Sequence, residues 1–213
     1  MYINILWPIL LKFRKDEKIT VIDAKETAPA SSTCDMLRSH DEGGLSIGTP
    51  SEIKGYWLAH QMFGGLEWSS LFKPAIELCN NGYQLPLIQY EYMVLKEKMI
   101  RNTYGLRELF VNKINNELFV ENSIMKRPKL AKTFGIIAKD GESAFYNGRL
   151  TDTIVNEIQS NGGIVTKQDL QNYECVVREP TTITLRNGIQ VNSAPNPSSG
   201  DIINFILGVM DSK

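Results

Sequence analysis

Among the residues able to do chemistry, Ser46 stands in the most suggestive frame. Gly44-Leu45-Ser46-Ile47-Gly48 fits the G-x-S-x-G pattern of a hydrolase nucleophile elbow. That arrangement needs an acid and then a histidine far downstream of the serine, whereas the one histidine after Ser46 is His60, inside the next predicted helix. The elbow reading fails for want of its partners. His40 and His60 are the only histidines, without H-x-x-H or H-E spacing, so both read as structural and no metal site is expected. Cys34, Cys79 and Cys175 are far apart, lack a CxxC pair and read as three buried thiols. No G-x-G-x-x-G or Walker loop occurs, and no cofactor is expected.

The elements that must position these residues follow from periodicity and punctuation. An apolar run over Met1–Lys12 is too short for a bilayer span of about 20 residues. Its charge follows the run instead of preceding it, unlike a secretory signal, so it predicts a buried strand. Lys18–Asp23 is a β-branched run that makes the second strand of a hairpin turning around Arg14–Glu17. Thr49-Pro50-Ser51-Glu52 predicts a helix start with Thr49 as cap, running to Phe63 and stopping at Gly64-Gly65. Trp68–Phe72 and Pro74–Asn81 read as two short helices divided by Pro74.

From Tyr90 to Phe119 the pattern is helical but irregular, with Leu95, Met99, Leu106, Leu109 and Phe110 as inward positions. Pro128–Lys139 and Leu150–Ser160 are amphipathic helices closed by Asp140-Gly141 and Asn161-Gly162-Gly163. Val176-Val177 and Thr181–Leu185 return to strand, and Asn187-Gly188 predicts a hairpin into Ile189–Asn192. Ser198-Ser199-Gly200 caps a final apolar helix over Ile202–Met210. The class is α+β, with a mostly helical middle and strands at both ends.

With 23 basic and 24 acidic residues scattered along 213, the chain carries no field to attract a polyanion, and nucleic acid is not an expected partner. The 42% hydrophobic content is that of a globular chain. No repeat or low-complexity linker divides it, so residues 1–213 read as a single domain.

Seven collinear stretches resemble the large subunit of γ-glutamyltransferases, also called glutathione hydrolases. They are Val21-Ile-Asp-Ala-Lys-Glu-Thr-Ala-Pro29, Gly43–Pro50 with Gly55-Tyr-Trp and His60-Gln, Trp68–Ile76, Arg127–Thr133, Ala144–Gly148, Gly162–Thr166 with Asp169-Leu and Tyr173, and Arg178-Glu-Pro180 with Ala194–Gly200. The resemblance covers about Ile19–Met210. It implies part of a four-layer αββα N-terminal-nucleophile hydrolase fold, so the single domain is incomplete. A small subunit would be the partner, its N-terminal threonine acting as nucleophile and its own α-amino group as base.

The family's cleavage-site threonine lies beyond the Pro-Ser-Ser-Gly segment, so no residue of this chain is expected to be catalytic. The implied substrate is a γ-glutamyl amide such as glutathione, with transfer of the glutamyl group to water or an acceptor amine. The chain alone is expected to be inactive. The implied setting is the extracellular face of the plasma membrane, or a secreted or periplasmic location. One substrate contact falls here: the family's carboxylate-binding Arg corresponds to Lys25. Lysine keeps the charge and loses the planar two-pronged donor. Taken alone, Lys25 is a surface lysine at a hairpin exit, and Asp23 and Glu26 orient the loop instead of serving as acid and base. The departure keeps two alternatives open: a non-catalytic large-subunit-like paralogue, and an acylase of the same fold with a different acyl group.

Overall fold

The structure, a computed structural model, describes residues 9–15, 18–36 and 43–212. In chain order the elements are β1 (Ile9–Lys15), β2 (Lys18–Ala24), α1 (Glu52–Phe63), α2 (Trp68–Asn81), β3 (Tyr83–Gln84), α3 (Leu87–Leu95), α4 (Glu97–Asn102), α5 (Tyr104–Phe110), β4 (Ile124–Met125), α6 (Pro128–Asp140), α7 (Ser143–Tyr146), α8 (Thr151–Ser160), α9 (Lys167–Asn172), β5 (Val176–Arg178), β6 (Thr181–Thr184), β7 (Gln190–Ser193) and α10 (Gly200–Asp211). The α+β class, the helical middle and the strands at both ends are as expected. The described chain divides into two compact units, one of residues 66–148 and the other of the flanking segments up to 65 and from 149.

In the flanking unit β1 and β2 form an antiparallel hairpin in register from Ile9↔Ala24 to Lys15↔Lys18. Arg14 and Lys15 therefore belong to the ladder instead of the turn, and residues 1–8 lie outside the described residues. On the other edge of β2, β5 pairs antiparallel, Val21↔Arg178, Ile22↔Val177 and Asp23↔Val176. Val21, Ile22 and Ala24 are fully buried, as a central strand demands. Helix α1 lies against β2, and the approach is close at one point. A Cβ added at Gly55 would stand 2.5 Å from the Cβ of Ala24.

The predicted helix start at Thr49 is overturned by a long-range contact. Thr49 pairs with Thr27 in a β-bridge, its N–H donating to the Thr27 carbonyl at 2.8 Å. Ser51 takes the cap position, and its hydroxyl serves Ala24 instead of the helix end. Helix α8 begins and ends as its sequence predicts, and α9 is capped by a reciprocal Thr166–Asp169 box. The Asn187-Gly188 turn closes the β6–β7 hairpin, Gly188 taking φ +81° and Asn187 Oδ1 accepting from the Ile189 N–H at 3.0 Å. Helix α10 packs on that hairpin while Ile202, Ile203, Phe205, Ile206, Val209 and Met210 remain exposed.

In the unit of residues 66–148, Pro74 does not split a helix: α2 runs unbroken from Trp68 to Asn81. Contacts with α6 hold the half before Pro74, and the Arg127 N–H at the start of α6 donates to the Cys79 carbonyl in the half after it at 2.8 Å. Trp68 Nε1 donates to the Ile137 carbonyl at 3.0 Å, and Phe72 bridges Trp68 and Phe134 at 5.0 and 6.0 Å between ring centroids. A second cluster joins Leu85, Met93, Ile100, Val111, Leu118 and Met125, with Leu106 and Phe110 packed against it. Leu95, expected inward, is 73% exposed, and Met99 is also exposed. The helix breaks at Lys96 (φ −106°, ψ 17°), so the inward face is out of phase with a continuous helix. The expectation of three buried thiols fails at Cys34, which is exposed; Cys79 is buried and Cys175 intermediate. Among the described residues no helix is long and apolar enough to cross a membrane.

Candidate functional site: the loop that carries Lys25

Lys25 is the first residue after β2, where pairing to both neighbouring strands has just ended. Loops that leave a buried central strand need partners for backbone groups that no longer have a ladder. Here they come from side chains far along the chain. Ser51 Oγ donates to the Ala24 carbonyl at 2.6 Å. Tyr173 Oη donates to the Lys25 carbonyl at 2.8 Å. The Lys25 N–H donates to Asp23 Oδ1 at 3.2 Å, and the Ala30 N–H to Asp169 Oδ1 at 2.8 Å.

Asp23 is buried, and its second oxygen accepts from Arg178 Nε at 2.8 Å. Asp23 stands opposite Val176 in the ladder, so Arg178, two residues on, is its diagonal neighbour on the same face. The charge-assisted bond compensates a carboxylate that has almost no water. Asp23 thus orients the loop, as expected from its position. Glu26 is exposed beside it.

Burial pushes the Tyr173 hydroxyl well above the ordinary phenol range, with Cys175 and Asp23 acting in the same direction, so it stays a donor at physiological pH. Burial alone would raise the Asp169 carboxyl. Hydrogen bonds from the Thr166 hydroxyl and the Ala30 and Thr166 N–H groups outweigh it and hold the carboxyl below the usual aspartate range.

With its backbone held at both N–H and carbonyl, Lys25 keeps its ammonium uncommitted: it makes no hydrogen bond or ion pair among the described residues and is half-buried. A cation on a fixed main chain can pair with an anion, and lysine would meet a carboxylate as a point charge.

Ser46 occupies a different setting from an elbow. It lies in a single 3-10 turn, Gly44–Ser46, and its hydroxyl donates to the Gly43 carbonyl at 2.8 Å. The surrounding glycines serve packing. The Gly44 N–H donates to the Asn161 carbonyl at 2.9 Å, and a Cβ at Gly44 would stand 2.4 Å from the Gly163 nitrogen. His60 lies on α1 stacked with Trp57 at 6.2 Å, and His40 lies outside the described residues. Ser199 holds the cap position of α10, with no side-chain capping bond.

The structure therefore gathers Asp23, Lys25, Ser51, Asp169, Tyr173 and Arg178 around one loop. Asp169, Tyr173 and Arg178 stand in the motif stretches, yet their roles were hidden because each reaches across more than a hundred residues. Ser51 carried a local signal that pointed to the helix instead.

The family model described as gamma-glutamyltranspeptidase matches residues 9–213. The chain is 41% identical over 197 residues to scoloptoxin SSD14 of Scolopendra dehaani, covering 90% of this chain and 34% of that protein. It is 40% identical over 182 residues to glutathione hydrolase 2 of Arabidopsis thaliana, covering 84% of this chain and 31% of that one. The solved γ-glutamyltranspeptidase of Helicobacter pylori matches with a TM-score of 0.92 and 27% identity, covering 99% of this chain and 63% of that chain. The chain spans about a third of the length of these curated relatives. Its fold is accordingly the N-terminal-nucleophile hydrolase type, and the chain belongs to the gamma-glutamyltranspeptidase family, whose large-subunit region it covers.

Proposed function

We propose that this chain is the large-subunit portion of an enzyme that cleaves γ-glutamyl amides such as glutathione and passes the glutamyl group to water or to an amino acid or peptide acceptor. The observation that carries the reading is half-buried Lys25, its ammonium uncommitted among the described residues, on a backbone pinned by Asp23, Ser51 and Tyr173. In this reading Lys25 pairs with the α-carboxylate of the glutamyl group.

The nucleophile is the N-terminal threonine of a small subunit made by self-cleavage of one precursor. Its hydroxyl oxygen attacks the γ-carbonyl carbon, and its α-amino group takes the hydroxyl proton and returns it to the departing amine as the C–N bond breaks. Water or an acceptor amine then displaces the threonine from the ester. Lys25 holds the glutamyl group while both steps occur and takes no proton. The exposed apolar side chains of α10 support a partner, since so many on one short helix favour being covered in a larger assembly. The working location is the extracellular face of the plasma membrane, or a secreted or periplasmic space.

The test is hydrolysis of a γ-glutamyl anilide by the full-length protein, with Lys25→Ala alongside. Activity that falls at least tenfold in kcat/KM on losing the ammonium supports the reading. An inactive but correctly processed wild type sinks it. Lysine in place of the family's arginine favours one second reading, an acylase for another acyl group. Cleavage of a glutaryl amide without cleavage of a γ-glutamyl amide would establish that alternative.

A further inference from the structure

The direction of a side chain is set by the two peptide planes that flank its Cα, since each plane is rigid and only φ and ψ are free. At Lys25 the preceding plane is tethered at both ends: Ser51 holds the Ala24 carbonyl at 2.6 Å and Asp23 receives the Lys25 N–H at 3.2 Å. The following plane is tethered through the Lys25 carbonyl, which accepts from Tyr173 at 2.8 Å. Tyr173 is 4% exposed and reaches Lys25 across 148 residues. It follows α9, which the Thr166–Asp169 box fixes, and Asp169 also receives the Ala30 N–H from the far end of the same loop. The anchor is therefore rigid at its own base.

We infer that Tyr173 is a positioning residue: through the Lys25 carbonyl it fixes ψ of Lys25, and so the direction in which the ammonium meets a substrate carboxylate. This rests on the γ-glutamyl reading for its substrate, but the backbone claim stands apart from it. Ser51 and Asp23 hold the plane before Lys25, and Tyr173 holds the plane after it directly while its hydroxyl also meets the Ser51 side chain. The hydroxyl is the working group and the ring is its support, so Tyr173→Phe separates the two.

The experiment uses the full-length protein with Tyr173→Phe, Lys25→Ala and the double variant, assayed on a γ-glutamyl anilide. Loss of the Tyr173 hydroxyl, which bonds the Lys25 carbonyl and also meets the Ser51 and Cys175 side chains, is expected to raise KM about fivefold, with kcat changed less than about twofold. Because the effect passes through the ammonium, adding Tyr173→Phe to Lys25→Ala should leave KM where Lys25→Ala alone puts it. Hydrogen exchange of the peptide carrying Lys25–Thr27 is read in the same proteins and should quicken in Tyr173→Phe. A KM effect that persists in full without the Lys25 ammonium overturns the inference, as does exchange indistinguishable from wild type. A wild type without γ-glutamyl hydrolysis overturns the substrate reading only, and exchange alone then decides the positioning role.

Discussion

Gly55→Ala offers a test in which the sign of the effect depends on the packing of α1 against β2. In open space an alanine in a helix interior is about 1 kcal/mol better than glycine. At Gly55 the added methyl would lie 2.5 Å from the Ala24 Cβ, against about 3.5–4.0 Å for carbon atoms in contact. Something must move by roughly 1 Å, and Ala24 is fully buried on a central strand with no room to retreat. Overpacking of this kind costs about 1–3 kcal/mol. Set against the helix gain, the net is a loss of up to about 2 kcal/mol. The complementary change Ala24→Gly removes a buried methyl and loosens a strand, about 1.5 kcal/mol by itself.

Combined, the two changes exchange the methyl from one side of the contact to the other, remove the clash and recover the helix gain. The double variant should then lie within about 1 kcal/mol of wild type, where simple addition gives about 2.5. Urea midpoints of the full-length protein measure all four corners of the cycle. A stabilised Gly55→Ala, or a double variant as unstable as the sum, refutes the close approach of α1 to β2.

Two further outcomes follow from the same geometry. Asp169→Asn places an amide N–H against either the Ala30 or the Thr166 N–H, and should cost about 1 kcal/mol near neutral pH, at the low end because the group contacts solvent. Since the folded carboxyl is held below its ordinary range, that contribution is present above the unfolded pKa and is lost as pH falls through the folded value. The gap between wild type and Asp169→Asn measured by urea unfolding should therefore close below about pH 4. Exposed Cys34 should take up a thiol reagent in the native protein, while Cys79, buried and with its thiol pushed up by burial against a smaller opposing effect of Arg127, should be labelled only on unfolding. Peptide mapping after timed alkylation reads both, and equal rates would contradict the burial of Cys79.

What was legible in the sequence is what local chemistry decides. Pro128 and Asp140-Gly141 bound α6, Asn187-Gly188 makes its hairpin, and the apolar run at Ile202 gives α10. What was not legible is where a distant partner outbids a local preference. Thr49 has the look of a cap, but Thr27 engages it in a bridge. Pro74 has the look of a break, but pairing of α2 with α6 keeps one helix. Leu95 and Met99 were assigned inward by carrying one helical phase through Lys96, where the chain bends and Met93 and Ile100 take those places. At the candidate site, Lys25 could be found from its motif. Its supports could not, because Tyr173 and Arg178 reach the loop from another part of the chain.

That asymmetry bears on how the motifs should be understood. Several of the residues that make the stretches recognisable have structural work in the fold. Gly44 is small because the backbone of Asn161–Gly163 runs against it, and Gly55 because Ala24 does. Trp68 anchors α2 to the Ile137 carbonyl, Asp169 caps α9 and ties down Ala30, and Arg178 neutralises Asp23. Trp68 and Asp169 fix main chain directly, Arg178 acts through the Asp23 carboxylate, and several converge on residues 23–30. The substrate contact proposed for Lys25, a flexible side chain with four rotatable bonds, depends most on where its Cα stands, since entropy already works against a long point-charge donor. In the proposed reading, lysine where the family has arginine leaves the scaffold's purpose intact: it alters the shape of the charge presented, while the loop that presents it is held by residues that chemistry alone would not have singled out.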